Sequence, residues 1–240
     1  MILHSPGHWL ELEEVTSTQD VAMERLKAGE KVGAVFADHQ TGGRGRFGRV
    51  WESKRGDSLT MSLVFAETGG AQPWLVGMAV ACSCARVLGC ELRWPNDLVL
   101  GSDCRKLGGI LTELVEGFPV VGVGVNLGQG AIHPDLDAIA TSLEDLRATP
   151  EEIALRIVAE IESFPMPNHW ADLVPYWAPL DRTEGKLYRS PTGEMLTAVK
   201  VGNQGELLAF DETGKLQSVM AADALFGAQT PRAPTSDRIS

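Results

Sequence analysis

Apolar and polar residues change period several times along this chain, and each change marks an element. Residues 9–15 (WLELEEV) alternate, as a half-buried strand does. Thr16, Ser17 and Thr18 follow with hydroxyls able to cap a helix predicted over about 19–28, which Gly29 ends. Residues 32–37 (VGAVFA) and 58–66 (SLTMSLVFA) read as buried strands. Between them, residues 38–50 hold four glycines and three arginines with almost no apolar content, which predicts a loop. Pro73 opens a helix that runs to about Leu88 and stops at Gly89. Two strands are predicted over 91–100 and 106–116, joined by a turn at 101–103. A β-branched strand follows over 119–127, and residues 128–148 read as mostly irregular.

Thr149-Pro150-Glu151-Glu152 is a capping box with proline at the first helical position, so a helix should run from 150 to about 163. Beyond Pro165 the texture changes. Prolines and tryptophans punctuate 165–180, and short strands broken by turn signals begin near 185. This second region is too small to be robust alone and should dock on the first. The tail from about 228 is rich in Ala, Pro, Ser and Thr, and is expected to be disordered.

Composition narrows the functional classes. A formal net charge of -11 argues against non-specific nucleic-acid binding, which needs a basic face. No apolar run reaches the ~18 residues of a membrane span, and the start shows no signal-peptide pattern, so a cytoplasmic protein without a membrane partner is expected. Cys82, Cys84, Cys90 and Cys104 form no C-x-x-C pair and have no histidine at zinc-site spacing.

Four segments carry chemistry. In Gly42-Gly43-Arg44-Gly45-Arg46-Phe47-Gly48-Arg49, three guanidinium groups on a flexible backbone suit an anion, and such a loop can close over its ligand. Gly43-x-Gly45-x-x-Gly48 also fits the dinucleotide fingerprint, but a polar turn and a strand follow where that motif needs a helix. A plain solvated basic loop is the alternative. In Arg93-Trp94-Pro95-Asn96-Asp97, either Asn96 or Asp97 can reach a ligand or metal, against the alternative of an Asx turn. In Arg105-Lys106-Leu107-Gly108-Gly109, a lysine at a strand head can stabilise charge on a carboxyl or phosphoryl oxygen; an exposed turn lysine is the alternative. In Gly122-Val123-Gly124-Val125-Asn126, period two puts both glycines and Asn126 on one flat face, open to a ligand or to tight helix packing.

The order and spacing of these segments, with Ser17-Thr18-Gln19 and Gln40 ahead of them, resemble the biotin protein ligase family over about residues 12–130. Gly205-Glu206-Leu207-Leu208 resembles the family's SH3-like C-terminal domain. The resemblance implies an α+β fold: a mixed β-sheet flanked by helices, related to class II aminoacyl-tRNA synthetases, with a small C-terminal SH3-like β module. It implies a biotin- and ATP-binding catalytic domain over 1–182, a β-barrel-like domain over 183–228 and the tail over 229–240. The implied activity is ATP-dependent formation of biotinyl-adenylate, then transfer of biotin to a lysine of a biotin carboxyl carrier protein.

Lys106 and Arg46 take the catalytic roles in that scheme. Ser17, Thr18, Gln19, Gln40, Arg44, Gly45, Arg46, Lys106 and Gly109 would bind biotin. Arg49, Trp51, Asn96, Asp97 and Asn126 would lie on the nucleotide side. Magnesium would arrive with ATP, near Asp97, with no metal site fixed by the protein alone. Three departures stand out: Val50 and Arg93 replace residues the family usually has as basic and lysine, and 163–183 differ from the usual link. With no room for the N-terminal DNA-binding domain of the family's repressors, no DNA partner is expected; a homodimer is compatible. A lipoate or other small-acid ligase of the same fold, or a non-catalytic biotin binder, remain the alternatives.

Overall fold

Seven of the strands pair into one mixed sheet in the order β1-β2-β5-β9-β8-β7-β6. They are β1 (Trp9–Val15), β2 (Ala34–Gln40), β5 (Ser58–Val64), β6 (Glu91–Arg93), β7 (Asp97–Leu100), β8 (Arg105–Val115) and β9 (Phe118–Asn126). The computed structural model describes residues 1–67, 72–136, 138–143, 148–190 and 192–226, so the expected disordered tail lies outside the described residues. The β1–β2 pair is parallel, and the remaining pairs of this sheet are antiparallel. The parallel pair needs a crossover, which α1 (Thr18–Lys27) supplies.

The two faces of the sheet are covered differently. On one face α1 buries Ala22 and Leu26 against Val35, Val64, Val115 and Val120. On the other lies α2 (Pro73–Leu88), buried without a break from Trp74 to Ala85, as a helix that is apolar all round must be. Gly89 ends it in the left-handed conformation that glycine adopts without strain. Helix α3 (Pro150–Ser163) packs Ile153, Ile157 and Ile161 into the same core. Its capping box forms as predicted: the Thr149 hydroxyl accepts from the Glu152 N–H at 3.2 Å, and the Glu152 carboxylate accepts from the Thr149 N–H at 3.0 Å.

Three local expectations are corrected. The basic stretch is not a plain loop: β3 (Gly43–Arg44) and β4 (Val50–Trp51) form a small antiparallel hairpin around one 3-10 turn at Arg46–Gly48. The hydroxyls ahead of α1 do not cap it; Ser17 is its N-cap without a side-chain cap bond, and the Thr18 hydroxyl points to Gln40 and Ser62 instead. The strand expected over 91–100 is two strands, β6 and β7, paired across the turn at Trp94–Asn96.

A helix the pattern did not predict, α4 (Trp170–Trp177), occupies the Trp- and Pro-rich segment. Asp172 caps it by accepting from the Asn168 and His169 N–H groups. A four-stranded antiparallel sheet follows: β10 (Leu187–Arg189), β11 (Met195–Val201), β12 (Leu207–Phe210) and β13 (Leu216–Val219), then α5 (Ala221–Phe226). The small sheet shares the main core through Leu196, Ala198, Leu207 and Ala209. Trp94 clamps it: its indole N–H donates to the Gly205 carbonyl at 2.8 Å, and its backbone N–H donates to the Thr183 hydroxyl at 3.0 Å.

Candidate functional site

The part of its own face of the large sheet that α1 leaves uncovered forms the floor of an open-mouthed cavity. Register sets what faces it. Ser62, Gly122 and Leu111 lie side by side on β5, β9 and β8, and Gly124, Gly109 and Asp97 form the next row. The predicted flat glycine face exists, and α1 covers only its Gly122 end, through Gln19. The Trp51 indole lies over Gly124 and the Gln19 amide over Gly122, so close that an added methyl on either glycine would collide.

One wall is a buried polar chain. The Gln40 side-chain oxygen accepts from the Thr18 N–H at 2.8 Å and from the Thr18 hydroxyl at 3.0 Å. The Thr18 and Ser62 hydroxyl oxygens are 2.8 Å apart, and Ser62 donates to the Gln19 side-chain oxygen at 2.9 Å. The Gln19 NH2 donates to the Val120 carbonyl at 3.0 Å, so backbone partners fix the orientation of both amides. Three oxygen–oxygen contacts therefore share two hydroxyl protons. Such a cluster is rich in acceptors and short of donors, and it favours a ligand that brings N–H groups.

The opposite side carries cations. Lys106 Nζ lies 2.7 Å from one Asp97 oxygen, and Arg93 donates to the other at 2.7 Å. Burial alone would raise the Asp97 carboxyl; the cations of Lys106, Arg93 and Arg46 outweigh it and hold the group well below the usual carboxylate range. A bulge aims the lysine. Leu98 pairs with Gly108 but Val99 pairs with Lys106, so Leu107 is the extra residue, and Lys106 comes round to the side of Gly109. Asn96 donates its amide to the Ile110 carbonyl at 2.5 Å, while its side-chain oxygen is buried without a protein donor.

The hairpin forms the roof. Arg44 is tied at the rim to Asp20 at 2.7 Å and Glu113 at 3.0 Å. Burial opposes the Arg44 charge, but these two carboxylates outweigh it and raise its pKa above the ordinary arginine value. Arg46 reaches the other way and donates to the Ala224 carbonyl at 2.7 Å. Arg46 and Arg49 also wall a second cavity, between the sheet edge and the C-terminal strands, together with Arg93, Asp97, Lys186 and Tyr188.

The sequence-predicted residues Ser17, Thr18, Gln19, Gln40, Arg44, Gly45, Arg46, Lys106 and Gly109 all line the first cavity, as do Arg49, Trp51 and Asn96. Asp97 faces the second cavity. Asn126 lies off the walls of both, at the end of β9, donating to the Thr141 carbonyl at 3.2 Å. Sequence reasoning missed Met61 and Ser62, and gave no role to Ile110, Leu111 and Val123, which lie inside the segments it singled out. Ser62 left a signal: with Ser58 and Thr60 it makes three polar positions on one side of an otherwise apolar strand. Among the described residues no three His, Cys, Asp or Glu side chains cluster as a metal cage.

The sequence profile of the Biotin/lipoate A/B protein ligase family matches residues 11–129. A biotin–[acetyl-CoA-carboxylase] ligase of Mycobacterium tuberculosis is 36% identical over 174 residues, 65% of this chain and 64% of that protein. A bifunctional ligase/repressor BirA of Bacillus spizizenii is 32% identical over 161 residues, 61% of this chain and 48% of that protein. The chain thus spans 64% and 48% of the lengths of these two relatives. In fold it resembles the biotin acetyl coenzyme A carboxylase synthetase of Helicobacter pylori, solved with bound biotinylated ATP. The TM-score is 0.68 at 24% identity, covering 88% of this chain and 99% of that one.

Proposed function

Because residues 11–129 belong to the Biotin/lipoate A/B protein ligase family, we propose that this chain is an ATP-dependent biotin protein ligase. The observation that carries the choice of substrate is the acceptor-rich chain of Thr18, Ser62, Gln40 and Gln19 at one end of a cavity with Lys106 at the other. A ureido ring offers two N–H donors to such acceptors, and the carboxylate of the same molecule reaches toward the cations. Lipoate has no N–H on its ring and leaves the acceptors unmet, a large penalty in a buried site.

In the first step a biotin carboxylate oxygen attacks the α-phosphorus of ATP. The new P–O bond forms as the bond to pyrophosphate breaks. Lys106 and Arg46 stabilise the charge gathered between the two anions. Arg49, Trp51 and Asn96 take the nucleotide side, and the hairpin shields the adenylate from water. In the second step the ε-amine of a carrier lysine attacks the biotinyl carbonyl, and AMP leaves. Magnesium would arrive with ATP: Asp97, the carboxylate that would lie on its side, is already paired with Lys106 and Arg93 and forms no cage by itself.

The acceptor in this reading is a biotin carboxyl carrier protein, in a cytoplasmic setting. It is compatible with four free cysteines and with no described helix long and apolar enough to cross a membrane. We take 1–182 as the catalytic domain and 183–228 as a docked C-terminal one. A net charge of -11 supports the absence of a DNA partner, and a homodimer stays compatible. Mixing the protein with biotin, ATP and magnesium should yield biotinyl-adenylate by mass spectrometry. Adenylate formed from lipoate in preference to biotin would move the assignment to the lipoate branch; binding of biotin with no adenylate would reduce the chain to a non-catalytic biotin-binding protein.

A further inference from the structure

Arg46 sits on a single turn between Gly45 and Gly48, held by two backbone bonds, Gly45 N–H to Arg49 at 2.8 Å and Arg49 N–H to Arg46 at 3.2 Å. So short a segment constrains a long side chain poorly. The guanidinium finds its fixed points 140 to 180 residues away in sequence, roughly. It donates to the Ala224 carbonyl at 2.7 Å, and it shares the wall of the second cavity with the Tyr188 phenol. Both neighbours are rigid. Ala224 is fully buried in the main core. The Tyr188 ring stands edge-on to Trp94 with centroids 5.2 Å apart, and Trp94 is itself pinned by Thr183 and Gly205. Arg46 meanwhile belongs to the walls of both cavities, beside Lys106 in one and Asp97 in the other.

We propose that Tyr188 and the Ala224 carbonyl latch the Arg46 guanidinium at the joint between the two cavities, so that the C-terminal strands set the geometry of the active-site hairpin. Tyr188 is then a positioning residue that acts through Arg46. Two acceptors at fixed points orient a planar fork in a way that one cannot. The cation opposes the effect of burial, which pushes the Tyr188 phenol up, and so favours the same link. The consequence for catalysis rests on the ligase reading; the latch itself does not.

The test uses four full-length proteins: wild type, Tyr188→Phe, Arg46→Ala and the double variant. Tyr188→Phe removes one hydroxyl and keeps the ring against Trp94. Urea unfolding of the four needs no substrate. The two substitutions should be non-additive by roughly tenfold in the unfolding equilibrium constant; strict additivity overturns the latch whatever the protein's reaction. Should Arg46→Ala not fold, Arg46→Lys, which keeps the charge and loses the fork, replaces it. In the second measurement, release of preformed biotinyl-adenylate should be about tenfold faster in Tyr188→Phe, with biotin affinity changed less than about threefold. On the Arg46→Ala background the hydroxyl should make no further difference, and an equal effect in both backgrounds overturns the positioning role. Absence of any adenylate from the wild type would defeat the ligase reading while the urea cycle still decides the latch.

Discussion

Gly124→Ala adds one methyl group to β9, directly beneath the Trp51 indole. The new carbon would lie 2.5 Å from Cε2 of the ring, 2.8 Å from Cζ2 and 2.9 Å from Nε1. Ordinary contact begins at 3.4 Å, so the indole must retreat by about 0.9 Å. It cannot take its backbone along easily, because Trp51 pairs with Gly43 in the hairpin and its carbonyl already crowds that glycine. The ring therefore tilts into the cavity. Overpacking of this kind costs about 1–3 kcal/mol, of which alanine's smaller loss of backbone entropy returns at most about 1 kcal/mol. With Trp51 on the nucleotide side, the KM for ATP in pyrophosphate exchange should rise about tenfold, equivalent to ~1.4 kcal/mol. The thermal midpoint should fall by a few degrees. Initial rates against ATP at saturating biotin, with a thermal melt of each protein, measure both. A variant with unchanged KM and unchanged melting would refute the placement of the indole on Gly124.

Other outcomes follow from the same geometry. Lys106→Ala should lower biotin-dependent exchange about 100- to 1000-fold with the fold retained, as loss of a charge-stabilising donor does; wild-type turnover in that variant would remove Lys106 from the chemistry. Asp97→Asn should destabilise the protein at neutral pH by roughly 1–3 kcal/mol, discounted because Lys106 and Arg93 keep solvent contact. Because the Asp97 carboxyl is held below its unfolded range, the unfolded chain takes up the proton first as pH falls. The stability gap between wild type and Asp97→Asn in urea should therefore narrow from about pH 5 to about pH 3; a constant gap contradicts the ion pair. Burial pushes the Cys82 and Cys90 thiols up to about 12. A thiol reagent at neutral pH should label them only after unfolding, and prompt labelling of the native protein would show that this core opens.

Most of the elements were legible because local chemistry and tertiary packing agree on them. Pro73 to Leu88 and Thr149 to Ser163 carry their own start signals, and the structure uses both. The ligand set around the cavity was legible only as a series of motifs, since Ser17, Gln40 and Lys106 lie on separate elements that the fold brings together. The aim of Lys106 was not legible. Strict alternation puts residue 106 on the side of Gly108, and the bulge at Leu107 reverses that, a register event settled by how β7 pairs with β8. Ser62 hid inside an apolar strand because its role depends on two partners, Thr18 and Gln19, that only the fold places beside it. Helix α4 hid because Pro175 lies within it and its packing on α2, through Trp170 and Leu173, overrides that signal. Arg46 was legible as a catalytic loop cation, but its anchor was not, because the Ala224 carbonyl comes from the far end of the chain.

The acceptor-rich wall and the lysine opposite it make one claim together: this cavity activates a carboxylic acid that carries a ureido group. Exchange of labelled pyrophosphate into ATP, measured with biotin, with lipoate and with neither, tests it directly. The account predicts exchange that depends on biotin and collapses in Lys106→Ala. No biotin-dependent exchange, or exchange supported by lipoate alone, would contradict it.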